Sequence, residues 1–349
     1  MFRQLSVGLC CSMTLFVVGC GSKSVGVPAS STENSIKPLR IVVTTGMVAD
    51  LVRHVAGEHG EVTALMGSGV DPHLFKTTRN DIKRLQEAQI VFYSGLMLEG
   101  RMQDALRQVN RPNRPVVAVT DQLVRSDKTY LRSPPEFEGH YDPHVWMDVS
   151  AWSQCLDIIT ETLSAQDPAH TDDYQRNTVA YKTELAALHD YVCDVIKSIP
   201  ASQRVLVTAH DAFGYFGRTY GIDVRSVQGV TTESEAGVSD VNRLVDFLVE
   251  RKLPAIFVES SVNEKNILAV IEGATARGVT VNVGGELFSD AMGPEGRYEG
   301  TYIGMIDHNA TQIARALGGT APEKGFHGQL AGQRAMRGLQ SGPYLASID

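Results

Sequence analysis

The stretch TDDYQRNTVAYKTELAALHDYVCDVIKSI, residues 171–199, decides the fold of this chain. Its apolar residues recur at spacings of three and four, and Pro200 follows as a stop signal, so the pattern predicts one amphipathic helix. At 1.5 Å per residue, the helix would be roughly 40 Å long, which is the length of a whole lobe or more. We therefore predict that residues 169–200 form a backbone helix that links two lobes.

Predicted strands and helices alternate on both sides of this helix. The strands cover residues 40–45, 61–65, 90–93, 116–119, 205–208, 224–227, 255–259 and 279–283. The helices cover residues 47–55, 78–85, 99–109, 149–164, 212–220, 238–250, 263–277 and 301–317. Such alternation is typical of parallel sheets covered by helices. We predict an α/β protein with one lobe at residues 39–168, a second at residues 201–318, and a ligand site in the cleft between them.

The two ends of the chain have a different character. Residues 1–20 carry a short apolar stretch that ends in Val17-Val18-Gly19-Cys20, which resembles the lipobox of bacterial lipoproteins. Cys20 is then the lipidated first residue of an extracytoplasmic, membrane-anchored protein; an ordinary signal peptide cut elsewhere is the alternative. Residues 21–38 are rich in Ser, Gly and Val and predict a flexible tether. Residues 319–349 are Gly-rich and predict a peripheral or disordered tail.

Composition narrows the class of protein. A formal net charge of −8 argues against nucleic acid as a partner. After the N-terminal signal, no stretch is long and apolar enough to form a membrane helix. Cys155 and Cys193 remain once the signal and the lipid site are set aside, and the sequence allows either a disulfide between them or two buried free thiols.

Two Asp-Pro-His triplets are candidates for metal binding, Asp71-Pro72-His73 and Asp142-Pro143-His144. Proline fixes its own φ and pushes the preceding residue toward an extended conformation, so each histidine is held on a stiff turn. The aspartates of the two triplets either orient the imidazoles through hydrogen bonds or merely cap their loops.

Two further candidates come from the second half of the chain. His210 follows the predicted strand at residues 205–208, and Asp290 follows the strand at residues 279–283 and a Gly-Gly pair. All four candidates, His73, His144, His210 and Asp290, therefore lie beyond the carboxyl ends of strands, two in each lobe. Three imidazoles and one carboxylate can form a closed shell around a borderline divalent metal. His140 is a possible auxiliary ligand, and the remaining six histidines are expected to be solvated.

Six motifs resemble one family, the metal-binding receptors of bacterial ABC importers for zinc and manganese, which include treponemal and pneumococcal surface lipoproteins. The motifs are GVDPH at 69–73, DPHVWMD at 142–148, TAHDAFGYF at 208–216, QGVTTESEA at 228–236, LFSDAMG at 287–293 and TYIGM at 301–305. The resemblance implies a rigid two-lobe receptor that binds metal in the cleft and delivers it to a permease driven by an ATPase. It also implies that the ligands are His73, His144, His210 and Asp290.

The resemblance leaves the cargo open between Zn²⁺ and Mn²⁺. Manganese receptors of the family often carry Glu at the position of His210, whereas zinc receptors often carry a His-rich loop that residues 121–139 lack. A shell of three histidines and one aspartate favours zinc slightly on coordination grounds. Release is predicted to involve the Gly-rich loops at residues 67–69, 284–285 and 290–300, which would let Asp290 swing away.

Two other functions remain open from the sequence. A metallohydrolase would need an exposed metal-bound water and a general base, for which Glu259 or Glu233 is available. A surface adhesin is the other alternative. A closed protein shell leaves no position for an activated water, so the favoured prediction is a binding protein and not an enzyme.

Overall fold

The structure is a computed structural model, and it describes residues 37–137 and 139–331. The predicted signal at residues 1–20 with Cys20, nearly all of the tether, and the end of the tail lie outside the described residues. Within the described part of the chain, no helix combines the length and the apolar character needed to cross a membrane.

The elements alternate as the sequence predicts. The first lobe contains β1 Leu39–Val43, α1 Gly46–Ala56, β2 Gly60–Ala64, α2 Arg79–Glu87, β3 Ile90–Tyr93, α3 Gln103–Val109, β4 Val116–Ala118, α4 Asp121–Ser126, α5 Val149–Gln154 and α6 Leu156–Gln166. The long helix is α7 Thr171–Lys197. The second lobe contains β5 Val205–Thr208, α8 Gly214–Tyr220, β6 Asp223–Ser226, α9 Val238–Arg251, β7 Ala255–Glu259, α10 Lys265–Ala276, β8 Asn282–Leu287 and α11 Tyr302–Ala316.

The first lobe is built on a four-stranded parallel sheet in the order β2-β1-β3-β4. Its central strands are mostly apolar, and Ile41, Val43 and Phe92 are buried against α1 and its neighbours. The opposite face packs on α2 and α3 through a second apolar cluster. A capping box of Thr78 and Asp81 begins α2, since each side chain accepts a hydrogen bond from the other residue's backbone N–H. Burial on both faces is what a parallel sheet requires.

The second lobe contains two parallel strand pairs, β5 with β6 and β7 with β8. The last strand was predicted at residues 279–283, which is wrong by about three residues, because β8 runs from Asn282 to Leu287 and includes the Gly-Gly pair. A side chain on Gly284 would meet the ring of Phe257, and one on Gly285 would meet Gln312. The glycines therefore let this strand pass close to its neighbours, and the register with β7 shifts beside them.

The long helix α7 joins the two lobes as predicted. Its buried face packs on α1, α5 and α6 of the first lobe and on α11 of the second. Tyr181 of α7 donates a hydrogen bond to Asp50 of α1, and Asp50 also accepts the backbone N–H of Tyr302 at the start of α11. One buried carboxylate thus links the helix to both lobes. With 27 residues, α7 is about 40 Å long.

One helix differs from its predicted bounds, and the structure also bears on the two cysteines and on the tail. The helix predicted at residues 149–164 is interrupted at Cys155, which separates α5 from α6. Cys155 and Cys193 are both free thiols, so the disulfide alternative is not realised. The described part of the tail packs on the second lobe, where the Asp307 carboxylate accepts the backbone N–H of Phe326. This contact makes the first part of the tail an ordered extension of the lobe.

Candidate metal centre

The structure brings the four candidate residues into one group between the lobes. One nitrogen from each of His73, His144 and His210 and a carboxylate oxygen of Asp290 all lie within 4.8 Å of one another. All four side chains are buried. Two come from loops of the first lobe and two from segments that follow β5 and β8. His73, His210 and Asp290 follow the strands β2, β5 and β8, whereas His144 lies in the long connection between α4 and α5 and does not directly follow a strand.

His144 is oriented by the aspartate of its own triplet. Asp142 Oδ1 accepts the backbone N–H of His144 at 2.9 Å and faces the ring Nδ1 at 2.8 Å. The other carboxylate oxygen of Asp142 is paired with the guanidinium of Arg132. Because Nδ1 is engaged, Nε2 points toward the other three side chains. Asp142 therefore both caps its loop and orients the imidazole, which are the two roles that the sequence left open.

Glu259, the last residue of β7, orients His210 in the same way. Its Oε2 lies 2.6 Å from His210 Nδ1, and its Oε1 accepts the backbone N–H groups of Ala209 and His210 at 2.7 and 2.9 Å. The sequence suggested Glu259 only as a general base, and this use is wrong for the observed geometry because both of its oxygens are engaged. The position of Glu259 at the end of a predicted strand is the sequence feature that could have indicated this role.

Asp290 is held through its neighbours in the chain. The indole N–H of Trp146, two residues after His144, donates to the carbonyl of Ser289 at 2.8 Å. Ser261 Oγ accepts the backbone N–H of Asp290 at 3.4 Å and lies 2.9 Å from Ser289 Oγ. The carboxylate itself stays free to face the three imidazoles.

His73 is held mainly through its backbone. Asp71 Oδ1 accepts the N–H of His73 at 2.8 Å, so this aspartate caps its loop. The other oxygen of Asp71 accepts the hydroxyl of Thr232, from the second lobe, at 2.6 Å. In contrast to His144 and His210, the ring of His73 faces no carboxylate through Nδ1 among the residues that the structure describes.

The inward-facing atoms fit a cation. His73 Nε2 and His144 Nε2 are 3.3 Å apart, and the Asp290 oxygens lie 3.3 Å from His144 Nε2 and 3.1 Å from His210 Nε2. In the described residues, His210 Nε2 and both Asp290 oxygens have no hydrogen-bond partner of acceptable geometry. Buried polar atoms are rarely left in this condition. Three nitrogens and a carboxylate that converge without partners form a donor set suited to a borderline divalent metal.

The pKa values of the four side chains are shifted in different directions by burial and by neighbouring charges. Burial opposes the charged form of His144, but the hydrogen bond and charge of Asp142, together with Asp290, outweigh it and raise the pKa of His144 to about 9. Burial likewise opposes protonation of His210, yet the charges of Glu259 and Asp290 raise its pKa well above the ordinary value. For His73, burial dominates and lowers the pKa to about 3. Burial favours protonation of Asp290, but the charges of His210 and His144, whose rings face it, hold its pKa well below the usual range.

The other residues considered from the sequence lie outside the group. His140 is exposed in its loop and contacts Phe137. The six remaining histidines also lie elsewhere; His59, for example, contacts Asp173, and His170 contacts Asp167. Glu233 is paired with Arg101 at 2.9 Å and does not face the group. Trp146 and Thr232 support the site but were not identified from the sequence, because their contacts join segments far apart in the chain. Arg132, which pairs with Asp142 within the same loop, was also not identified.

Comparison with known proteins agrees with the fold and the site. Residues 41–316 match the family described as ZnuA, zinc-uptake complex component A, periplasmic. The chain is 43% identical over 305 residues to the manganese-binding lipoprotein MntA of Bacillus subtilis, covering 87% of this chain and 96% of that protein. It is 45% identical over 281 residues to the zinc-binding protein TroA of Treponema pallidum, covering 80% and 89%.

The structural comparison points to the same group of proteins. The solved structure of the periplasmic zinc-binding protein TroA from Treponema pallidum superposes with a TM-score of 0.76 at 44% identity, covering 80% of this chain and 99% of that one. The two-lobe architecture, the long connecting helix and the family match extend over most of the described residues. This chain therefore belongs to the ZnuA family of metal-binding components of uptake complexes.

Proposed function

We propose that this protein is an extracytoplasmic receptor that captures Zn²⁺ or Mn²⁺ and delivers it to the permease of an ABC importer, which a cytoplasmic ATPase drives. One observation carries the proposal: four buried side chains, His73, His144, His210 and Asp290, converge between two lobes with no hydrogen-bond partners for several of their inward-facing atoms. Relatives named as manganese-binding and as zinc-binding proteins support both ions as cargo.

The arrangement supports binding without catalysis. A hydrolase needs a metal position open to water and a base directed at it. Here four protein ligands surround the centre, Glu259 is committed to His210 and two backbone amides, and Glu233 pairs with Arg101. Neither of these two carboxylates is available as a base at the centre. The site therefore supports capture and release of an ion.

We further propose how the chain is divided into segments. Residues 1–20 are a lipoprotein signal, Cys20 carries the lipid anchor, and residues 21–38 are a tether. Residues 39–168 and 201–318 are the two lobes, residues 169–200 link them, and residues 319–349 form the tail. The names of relatives as lipoproteins support an anchored location outside the cytoplasm. Labelling with a radioactive fatty acid tests the anchor, and a Cys20→Ser variant that still takes up label would contradict it.

The metal site is tested by calorimetric titration of the metal-stripped chain with Zn²⁺ and then Mn²⁺. We expect one ion per chain with a Kd below about 1 µM, and weaker binding by about a hundredfold or more in Asp290→Ala. Asp173→Asn is the matched control, because Asp173 also contacts a histidine but lies outside the group. Equal affinity of Asp290→Ala and the unmodified chain would refute the four-ligand site.

A further inference from the structure

The four residues of the metal centre are restrained to different degrees. The rings of His144 and His210 are each held by a buried carboxylate at Nδ1, at 2.8 and 2.6 Å. The Asp290 segment is held by Trp146 and Ser261. His73 is the most exposed of the four at 4%, and its ring has no carboxylate partner at Nδ1 among the described residues. His73 therefore depends on its turn for its position.

The turn that carries His73 is held from the opposite lobe. Residues 227–237, between β6 and α9, form a loop that we call the cross-cleft loop. Its Thr232 hydroxyl donates to Asp71 Oδ2 at 2.6 Å, and Asp71 Oδ1 accepts the backbone N–H of His73. Beside this contact, Glu233 Oε1 accepts from Arg101 Nε at 2.9 Å. Both contacts join the second lobe to the first.

The cross-cleft loop is fixed to the part of the second lobe that carries His210. The backbone N–H of Gln228 donates to the carbonyl of Ala209 at 2.9 Å, and the N–H of Asp211 donates to the carbonyl of Gly229 at 3.2 Å. The Gln228 side chain closes the loop by donating to the carbonyl of Ser234 at 3.0 Å. The cross-cleft loop is therefore bonded to the residues around His210 at one end and, through Thr232, to the turn of His73 at the other. The position of that turn depends on the position of the His210 segment.

We propose that His73 is the ligand that leaves first when the metal is exchanged, and that Thr232 and Glu233 are positioning residues that set the rate of this step. The inference rests on the proposed function and assigns a role to the QGVTTESEA segment beyond that function. Exchange begins at the least restrained ligand, because three firmly held ligands keep the ion in place while the fourth moves. The glycine-containing loop after Asp290 was predicted to swing instead, but the bonds to Ser289 and Asp290 restrain that side of the site.

The test measures the rate at which the full-length Zn²⁺-loaded chain releases its ion to an excess of a fluorescent chelator. Thr232→Val removes the hydroxyl but keeps the shape, and we expect release to accelerate about tenfold, because a hydrogen bond to a carboxylate is lost. Glu233→Gln removes a partly exposed ion pair, and we expect about threefold. Thr232→Ser restores the hydroxyl and should return the rate to that of the unmodified chain.

Two controls separate positioning from general damage. Thr275→Val on α10 and Glu235→Gln in the cross-cleft loop change the same side-chain types at exposed positions and should leave the rate unchanged. Exchanging the charges in the double variant Arg101→Glu with Glu233→Arg should restore slow release relative to either single change. The metal-free variants should each unfold in a single thermal transition well above the assay temperature, so that a faster release is not the result of unfolding.

The outcomes distinguish this inference from the function on which it rests. If the unmodified chain binds neither ion, the proposed function fails. If it binds one ion but Thr232→Val releases it at the unmodified rate, only the role of the cross-cleft loop is refuted. Acceleration by Glu235→Gln equal to that by Thr232→Val would also overturn the inference, because it would show a general effect of altering the loop.

Discussion

Binding of one metal ion is expected to release two protons at neutral pH. Without a bound cation, the pKa of His144 is about 9 and that of His210 is well above its ordinary value, so both imidazoles carry a proton at pH 7. A metal ion needs the Nε2 lone pairs of both rings and must displace these protons. His73 and Asp290 contribute none, because the pKa of each lies far below neutrality.

The expected size of this effect follows from the pKa values. For His144 alone, a pKa of about 9 makes binding at pH 7 weaker by about a hundredfold, or about 3 kcal/mol, than at a pH where the ring is neutral. With two protons displaced, affinity should rise about a hundredfold for each pH unit between pH 6 and 8. The sign is fixed: protons compete with the ion, so acid weakens binding.

Calorimetry in buffers of different ionisation enthalpy measures the number of protons released directly. Asp142→Asn removes the charge that holds the proton on His144, so the count at pH 7 should fall from two to one. His170→Gln is a suitable control, because His170 contacts an aspartate outside the metal centre. A count near zero in the unmodified chain, or an affinity that does not change from pH 6 to 8, would refute this electrostatic reasoning.

Three further predictions concern the supports of the site and the stability of the chain. Glu259→Gln should weaken metal binding 10- to 100-fold in a chelator competition, whereas Glu272→Gln on α10 should not. Asp307→Asn weakens the acceptor of the Phe326 N–H, should cost about 1–3 kcal/mol in urea unfolding, and should make the described part of the tail sensitive to limited proteolysis. Raising the pH of the metal-free chain from 6.5 to 9 should cost about 3 kcal/mol in the same assay, because the raised pKa of His144 stabilises the fold only while its proton is retained.

Each of these predictions has an outcome that contradicts it. Unchanged affinity in Glu259→Gln would mean that its bond to His210 does not matter for binding. A tail that resists proteolysis in Asp307→Asn would show that other contacts hold it. Stability that rises between pH 6.5 and 9 would mean that His144 is not protonated in the metal-free fold.

Several strands could be predicted from the sequence at their observed bounds. β3, β5 and β7 each contain three or four consecutive apolar residues, and burial on both faces requires such runs. β8 was misplaced because two glycines normally indicate a loop, whereas here they allow close packing against Phe257 and Gln312. The break at Cys155 was missed because the apolar spacing continues across it.

The grouping of the four candidate ligands was also predictable, because three of them follow parallel strands and the fourth repeats the Asp-Pro-His triplet of the first. The residues that hold these four side chains in place were not predictable from the sequence. Glu259 reaches His210 because β7 lies beside β5, although 49 residues of chain separate the two. Thr232 reaches Asp71 across 161 residues. Spacing along the chain reports on helices and turns, but contacts of this kind depend on how strands and lobes are placed against each other.

A receptor of this kind must hold its ion firmly and still release it. Three nitrogens and one carboxylate bind Zn²⁺ more tightly than Mn²⁺ by the usual order of affinities, so affinity alone cannot favour manganese. The restraints in this site are unequal: His144 and His210 are oriented by carboxylates, whereas His73 depends on a turn held from the other lobe. In the proposed site, binding strength can therefore come from the three restrained side chains, while the exchange rate depends on the contact between Thr232 and Asp71. Separating the two properties allows release to change without loss of the shell that captures the ion.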